Sequence, residues 1–345
     1  MKLQMKSIIV MLSLAFPLVL VATGPSAEEM ALYRARRYGA EAKECLRVID
    51  QDGVPVADAR IWGGLQTGDG YKDFIPIRGN TNANGEYVVQ GKCTNRITCQ
   101  ITKDGYYDSV LKLIDYGNRH SLCDGKWQPY GKTTEVVMKK IVNPVVVGIR
   151  YVDQKIPAFG QWLGYDLEIA DWMSPWGKGK QSDVMIRFTS REVGPLDFGY
   201  KMELSFMQYP FAGGIRYKKD PFSRFPYAYN AATNDVYKSV IVFEVDRTGA
   251  KKRIWDQLDN DEYLIFRTRT KVNEKGELMS AHYGRIDGEW KFYELHGMWI
   301  RGVYFNGTPN DTNLEDKYSY EDAMKRKQQR EEPPYKKKRK SLWPF

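Results

Sequence analysis

Asp166, Glu168 and Asp171 are the residues of this chain whose types and spacing come nearest to a reaction centre. On an extended strand, Asp166 and Glu168 would point to one face about 7 Å apart. That separation falls inside the roughly 6.5–9.5 Å at which an inverting glycosidase holds its acid and base. Such a pair must flank a scissile bond, so it normally comes from different strands facing across a cleft. Two acids on one strand face also describe a wet sheet surface. A carbohydrate-active enzyme using acids near Asp166–Asp171 is therefore one alternative. Other reaction centres lack their signatures. The only histidines are His120, His282 and His296, with no HExxH, no GxSxG and no nearby Cys–His arrangement, against metalloprotease and serine-hydrolase chemistry. Gly177-Lys178-Gly179-Lys180 lacks the upstream spacing and the Ser/Thr of a phosphate loop and reads as a solvated turn. Asp259-Asn260-Asp261-Glu262 offers oxygens of the kind Ca²⁺ takes, without the spacing of a calcium loop. Asp50-Gln51-Asp52-Gly53 is explained by a turn alone. The sequence points to no catalytic residue, no metal site and no cofactor.

Binding is better served by what the chain contains. Phe159, Trp162, Tyr165, Trp172 and Trp176 fall within eighteen residues, and the span Tyr209 to Tyr229 holds three Phe and four Tyr. Flat rings on a sheet face or loop rim stack on sugar rings and other ligands, because each buries a large area at low entropic cost. Trp162, Tyr165, Trp172 and Trp176 are the candidate ligand-binding residues. Filling the core is the competing role for every one of them.

These residues must be held by strands. Asp52-Gly53, Asn84-Gly85 and Asp104-Gly105 can each supply the positive φ of a tight turn, and each is flanked by alternating apolar residues. The pattern predicts strands at Leu46–Asp50, Val56–Gly63, Glu86–Val89, Arg96–Lys103 and Thr134–Lys139. Farther on, Val184, Ile186 and Phe188 alternate with polar residues, as do Met202, Leu204 and Phe206. Ser239–Val245, Tyr263–Val272, Glu277–Ile286 and Trp299–Phe305 read as further strands, the middle pair joined at Asn273-Glu274-Lys275-Gly276. Sustained helical periodicity is missing. The fold class is all-β: two antiparallel β-sandwich domains, the second jelly-roll-like, with a short N-terminal helix and a disordered basic tail.

The run Val48 to Val56, then Ala59-Arg60-Ile61, Thr81 to Tyr87 and Gly105-Tyr106, resembles the carboxypeptidase regulatory-like domain, which has a transthyretin-like fold. The resemblance covers about a quarter of the chain, residues 44–140, with extra length at Gly64–Pro76 and Asp115–Lys132. It implies a stabilising or binding unit of a secreted protein and no peptidase activity. The second domain, 141–315, carries Gly164-Tyr165-Asp166-Leu167, the run Asp171 to Gly179, Phe266-Arg267-Thr268-Arg269-Thr270 and the run Asn306 to Glu315. These resemble segments of uncharacterised exported bacterial proteins that pair such a domain with a regulatory-like one. That resemblance brings no known activity.

Residues 1–27 read as a signal peptide: Lys2 and Lys6 precede an apolar run from Ile8 to Ala22 that is too short for a membrane span, and small residues follow. The expected address is exported, periplasmic or extracellular, with no transmembrane segment after cleavage. Residues 28–43 read as a short helical lead-in. Cys45, Cys93, Cys99 and Cys123 all fall in the N-terminal third, which in an oxidising compartment suggests two disulfides. Strand parity makes a Cys45–Cys99 bridge the least comfortable of the pairings.

The net charge of +9 is unevenly placed. Lys2 and Lys6 leave with the signal, and residues 316–345 carry +5, so 28–315 holds only +2. The nearly neutral body argues against a nucleic-acid partner. Within the tail, Glu321–Gln329 reads as a frayed helix ended by Pro333-Pro334. Lys336, Lys337, Lys338, Arg339 and Lys340 then precede Trp343 and Phe345, a combination suited to an anionic membrane surface. The function read from sequence is an exported, non-catalytic β-sandwich protein that binds a glycan or other cell-surface polymer. A purely structural envelope component is the remaining alternative.

Overall fold

Ser26 starts the first helix. Its Oγ accepts from Glu29 N at 3.2 Å while the Glu29 carboxylate accepts from Ser26 N at 2.7 Å, a reciprocal capping box. The helix α1 (Ala27–Tyr38) stops at Gly39, whose φ of +82° ends the turn pattern. Residues 40–43 were expected within the helical lead-in, but they open the first strand instead. Ala40, Ala42, Glu44 and Leu46 alternate inward along it, which a helix could not arrange. A computed structural model describes residues 25–331 except 69–72, 95, 116–121, 146–148, 195–196, 235, 250–251 and 293–296. Most of the expected signal segment, His120, His296 and the cations of 336–340 lie outside the described residues.

The first unit holds β1 (Ala40–Asp50), β2 (Arg60–Gln66), β3 (Phe74–Asn80), β4 (Glu86–Cys93), β5 (Arg96–Thr102), β6 (Ser109–Asp115), β7 (Leu122–Cys123), β8 (Lys126–Trp127) and β9 (Lys132–Met138). One sheet runs β4–β1–β8–β7, with β9 also pairing β1; the other runs β3–β2–β5–β6. Leu46, Val48, Ile61, Ile97, Ile101, Val136 and Trp127 fill the space between them. The turn before β4 is built as its residues suggest. Asn82 Oδ1 accepts from Asn84 N and Glu86 N, and Gly85 sits at φ +73° with no room for a Cβ beside Val48 O.

Cys45, Cys93, Cys99 and Cys123 are free thiols, so the expected disulfides are not formed. Each cysteine faces a different kind of residue across its sheet. Cys45 lies opposite Val88 and Thr133, Cys93 opposite Ala40, Cys99 opposite Gly63 and Leu111, and Cys123 opposite Lys126. Within each sheet, then, strand pairing sets no two of these cysteines opposite each other. Burial pushes the Cys93 and Cys99 thiols up to about 12, so in the folded protein both are held as neutral thiols.

Glu44 faces this core from β1 at 2% exposure, with Thr134 Oγ1 donating to it at 3.5 Å and the charge of Lys132 partly offsetting its own. Burial pushes its carboxyl from the ordinary 4.5 up to about 7. The folded state therefore holds the extra proton between those values. Its stability contribution is complete below the window and is lost as pH rises through it. Glu44→Gln is expected to flatten that slope and raise stability at alkaline pH by about 3 kcal/mol. Urea midpoints for both proteins at about pH 5 and pH 8 check this; an unchanged slope would mean that Glu44 ionises as freely folded as unfolded.

The second unit holds β10 (Arg150–Lys155), β11 (Trp162–Asp166), β12 (Asp171–Trp172), β13 (Val184–Gly194), β14 (Asp197–Ser205), β15 (Gly213–Lys218), β16 (Val240–Thr248), β17 (Lys252–Asp256), β18 (Glu262–Val272), β19 (Leu278–Phe292) and β20 (Gly297–Asn306). A six-stranded sheet runs β12–β11–β13–β14–β16–β17 and a five-stranded one β10–β20–β19–β18–β15. Phe188, Met202, Phe243, Phe266, Ile286 and Trp290 belong to the cluster that joins them. The five-stranded sheet is covered on its other face too, where Tyr263, Tyr283, Tyr304, Tyr237 and Leu314 form a second core. The last helix, α2 (Lys317–Glu331), begins earlier than the expected 321 and occupies the first half of the tail.

The two units are tied by Glu315. Its Oε1 accepts from Tyr107 Oη at 2.8 Å and Val142 N at 3.0 Å, and its Oε2 from Asn143 N at 2.6 Å. Tyr107 also stacks on Phe225 with ring centroids 5.0 Å apart. The aromatic run Tyr209–Tyr229 is thus partly consumed in joining the units.

Candidate functional site

The loop from Asp166 to Asp183 is organised by the acids that looked most reactive. Asp166 ends β11 and is buried; its Oδ1 accepts from Glu168 N and Ile169 N, each at 3.0 Å, and its Oδ2 from Lys180 N at 2.8 Å and Gln181 N at 3.1 Å. Asp171 accepts from Trp172 N at 2.8 Å and Lys178 N at 2.9 Å. Asp183 takes Leu167 N at 2.9 Å and both edges of Arg269, Nε at 2.8 Å and Nη2 at 3.0 Å. Glu168 reaches Arg269 Nη1 at 2.6 Å. Burial alone would lower the Arg269 guanidinium, but Asp183 and Glu168 outweigh it and hold its pKa above the ordinary value.

Asp166 and Glu168 therefore do not share a strand face. The strand stops at Asp166, and Glu168 lies in the turn that Asp166 braces. Their oxygens are occupied by amides and a guanidinium, which is the chemistry of a structural brace. Gly177 and Gly179 fit the same loop because a Cβ on either would collide with Trp172 O at 2.5 and 2.8 Å. In the acidic turn at 259–262, Glu262 pairs with Arg216 at 2.7 Å and Lys218 at 3.1 Å, so its charge is met by side-chain cations.

The four candidate aromatics separate. Tyr165 and Trp172 are buried in the core, edge to face with centroids 4.9 Å apart, and Trp172 Nε1 donates to Lys155 O at 3.2 Å. Neither can offer a ring to a ligand, which corrects their place among the binding residues. Strand parity carried that signal: on β11, residues 163 and 165 turn inward, so 162 turns out. Trp162 is 39% exposed, and Trp176, in the loop beyond the other end of β11, is 52% exposed.

Trp162 belongs to a row that runs across the six-stranded sheet. Arg187 lies opposite Trp162, Glu203 opposite Arg187, and Val242 opposite Glu203. At about 4.8 Å between strands, the row spans roughly 14 Å. The Arg187 guanidinium stands 4.6 Å from the Trp162 ring centroid and donates to Glu203 Oε2 through Nε at 2.8 Å and Nη2 at 2.7 Å. Lys201 approaches the other Glu203 oxygen at 3.2 Å. Burial pushes the Glu203 carboxyl up, but the bonds from Arg187 and Lys201 outweigh it and hold it below the usual range. The row presents an aromatic ring, a fixed ion pair and an exposed aliphatic side chain on one outer sheet face. Sequence alternation already turned Arg187 and Glu203 outward; only the register set them beside Trp162.

Among the described residues, no helix is long and apolar enough to cross a membrane. No family model matches the chain, and no curated protein matches it. Solved structures similar to parts of it include a 3-chlorocatechol 1,2-dioxygenase from Rhodococcus opacus, at 10% identity and TM-score 0.24, over 30% of this chain and 62% of that one. A DUF3823 family protein from Parabacteroides merdae aligns at 12% identity and TM-score 0.18, over 78% of this chain and 100% of its own. A "putative carbohydrate binding protein" from Bacteroides uniformis aligns at 8% identity and TM-score 0.19, over 77% and 99%. At these scores the likenesses carry no functional argument, and function has to come from the chain's own residues.

Proposed function

We propose that this is an exported, non-catalytic β-sandwich protein that binds a glycan or another cell-surface polymer on the outer face of the six-stranded sheet. The row Trp162–Arg187–Glu203–Val242 is the observation that carries this reading. A sugar ring stacks on an indole face while fixed charged groups beside it take the hydroxyls. The Arg187–Glu203 pair keeps those groups in place before the ligand arrives, which lowers the entropic cost of binding. The acids of the neighbouring loop serve the scaffold, so nothing in this reading cleaves the polymer. In the same reading, the first unit is a carboxypeptidase regulatory-like domain that acts as a rigid support.

The test is depletion of the intact protein from solution by insoluble cellulose, chitin or peptidoglycan sacculi. Trp162→Ala is expected to weaken retention on the glycan that binds by at least about tenfold, or 1.4 kcal/mol, with an unchanged unfolding midpoint because the ring is already part-exposed. Retention unaltered by the substitution would remove the sheet face from the account.

A further inference from the structure

We infer that β17 is the edge through which a second copy of this chain joins the six-stranded sheet, so that the two sheets run on as one.

β17 is the last strand of that sheet and pairs only with β16 among the described residues. A strand of a sandwich ordinarily buries one of its faces. This one buries neither: Arg253, Ile254, Trp255 and Asp256 are all exposed, Ile254 at 37% and Trp255 at 66%. Trp255 lies opposite Val245, which belongs to the core, so strand parity turns the indole to the inner side of the sandwich. Its exposure there means that β17 overhangs the five-stranded sheet. An edge of this kind offers unpaired amides and carbonyls to another strand.

The order of its residues says which strand fits. Edge strands are commonly kept apart by proline or by charge. β3, at an edge of the first unit, carries Pro76 at its middle. β17 has no proline, and its sequence Lys252-Arg253-Ile254-Trp255-Asp256 runs from cations through apolar residues to an acid. Laid antiparallel on its own copy about Ile254, the strand sets residue Lys252 opposite the partner's Asp256. Arg253 falls opposite the partner's Trp255, and Ile254 opposite the partner's Ile254. Opposite charges and cation–ring pairs directly across a ladder attract each other. Asp256 is fixed by Arg216 at 2.6 Å and is still half exposed. Other registers lose this match: centring on 253 sets two arginines together, and centring on 255 sets Asp256 against Ile254. A patch that complements itself is what a two-fold dimer requires.

The two-fold axis stands perpendicular to the sheet, so the outer faces of both copies lie on one side. On the glycan-binding reading, the two Trp162 rows then share a surface, on the order of 40 Å apart by strand spacing. A polymer long enough to span them gains avidity. That consequence rests on the glycan reading; the dimer itself does not.

Sedimentation velocity of the full chain from about 1 to 100 µM reads the association. The sedimentation coefficient is expected to rise from that of a monomer to that of a dimer and no further, because pairing uses both edges. Trp255→Ala should weaken association by at least about tenfold and leave the unfolding midpoint of the dilute protein unchanged. Ile254→Cys, placed in a Cys123→Ser background, brings two thiols to cross-strand distance and should give a covalent dimer under mild oxidation. Val240→Cys in the same background, at an exposed position of the same sheet, should not. A monomer throughout the concentration range would overturn the proposal. So would a dimer that Trp255→Ala leaves intact and Ile254→Cys fails to lock.

Discussion

Arg285→Met is expected to cost about 3–5 kcal/mol of stability, the penalty for leaving buried charges without their partner. Arg285 is 0% exposed. Its Nε meets Asp287 Oδ1 at 3.1 Å, its Nη2 meets Asp316 Oδ2 at 2.6 Å, and its Nη1 donates to Leu314 O. The guanidinium is stacked between two rings, 3.8 Å from the Tyr227 centroid and 4.7 Å from that of Tyr304. Tyr227 in turn donates to the second oxygen of Asp287 at 2.8 Å. One side chain thus pins β19, the covering segment around 227 and the chain leading to α2. The methionine would fill much of the space but leave two carboxylates inside the protein. Since domains are typically stable by only about 5–15 kcal/mol, a loss of this size should be plain in a urea unfolding curve. Adding Asp287→Asn and Asp316→Asn to Arg285→Met should recover part of the loss. A midpoint shift worth less than about 1 kcal/mol would mean that water reaches these acids.

A comparable loss, about 3 kcal/mol, is expected for Arg269→Met, but confined to the loop at first. Asp183 and Asp166 are both buried and both face this guanidinium, at 2.8 Å and 3.5 Å. Without it, the two carboxylates hold the loop only through amides and the Thr268 hydroxyl, which donates to Asp183 Oδ1 at 3.3 Å. Hydrogen exchange reads the effect directly. The amides of Leu167, Lys180 and Gln181, which donate to these acids, should lose protection. Amides of β19 should keep most of theirs. Uniform loss across both would show that the loop and the sandwich unfold as one unit.

How much of this was legible in the residues differs from place to place. The Asn82–Gly85 turn was, because asparagine and glycine carry their own conformational reasons. The outward side of Arg187 and Glu203 was, because strand parity needs no partner. Tyr165 was misplaced by proximity in sequence to Trp162, although three steps along a strand put the two on opposite faces. The helical lead-in overran by five residues because Ala40–Lys43 suits either state, and only the sheet that receives it decides. The burial of Arg267, Arg285 and Asp287 could not be read at all. Their strands look half-polar, yet the segments around 220–237 and 306–316 fold over them, and such coverage is long-range. The Tyr107–Glu315 bond joins residues 208 positions apart, a distance no local pattern spans. The disulfide expectation rested on cysteine count and compartment, and the register placed every thiol opposite something else.

The central claim, a sheet face that holds a polymer without cutting it, is tested in one tube. The intact protein is incubated with the insoluble glycan that retains it, and the bound fraction and newly formed reducing ends are measured together. Retention with no reducing ends above a protein-free blank is the predicted result. A steady release of reducing ends that disappears in Glu168→Gln would contradict it and return the acids of the 166–183 loop to catalysis.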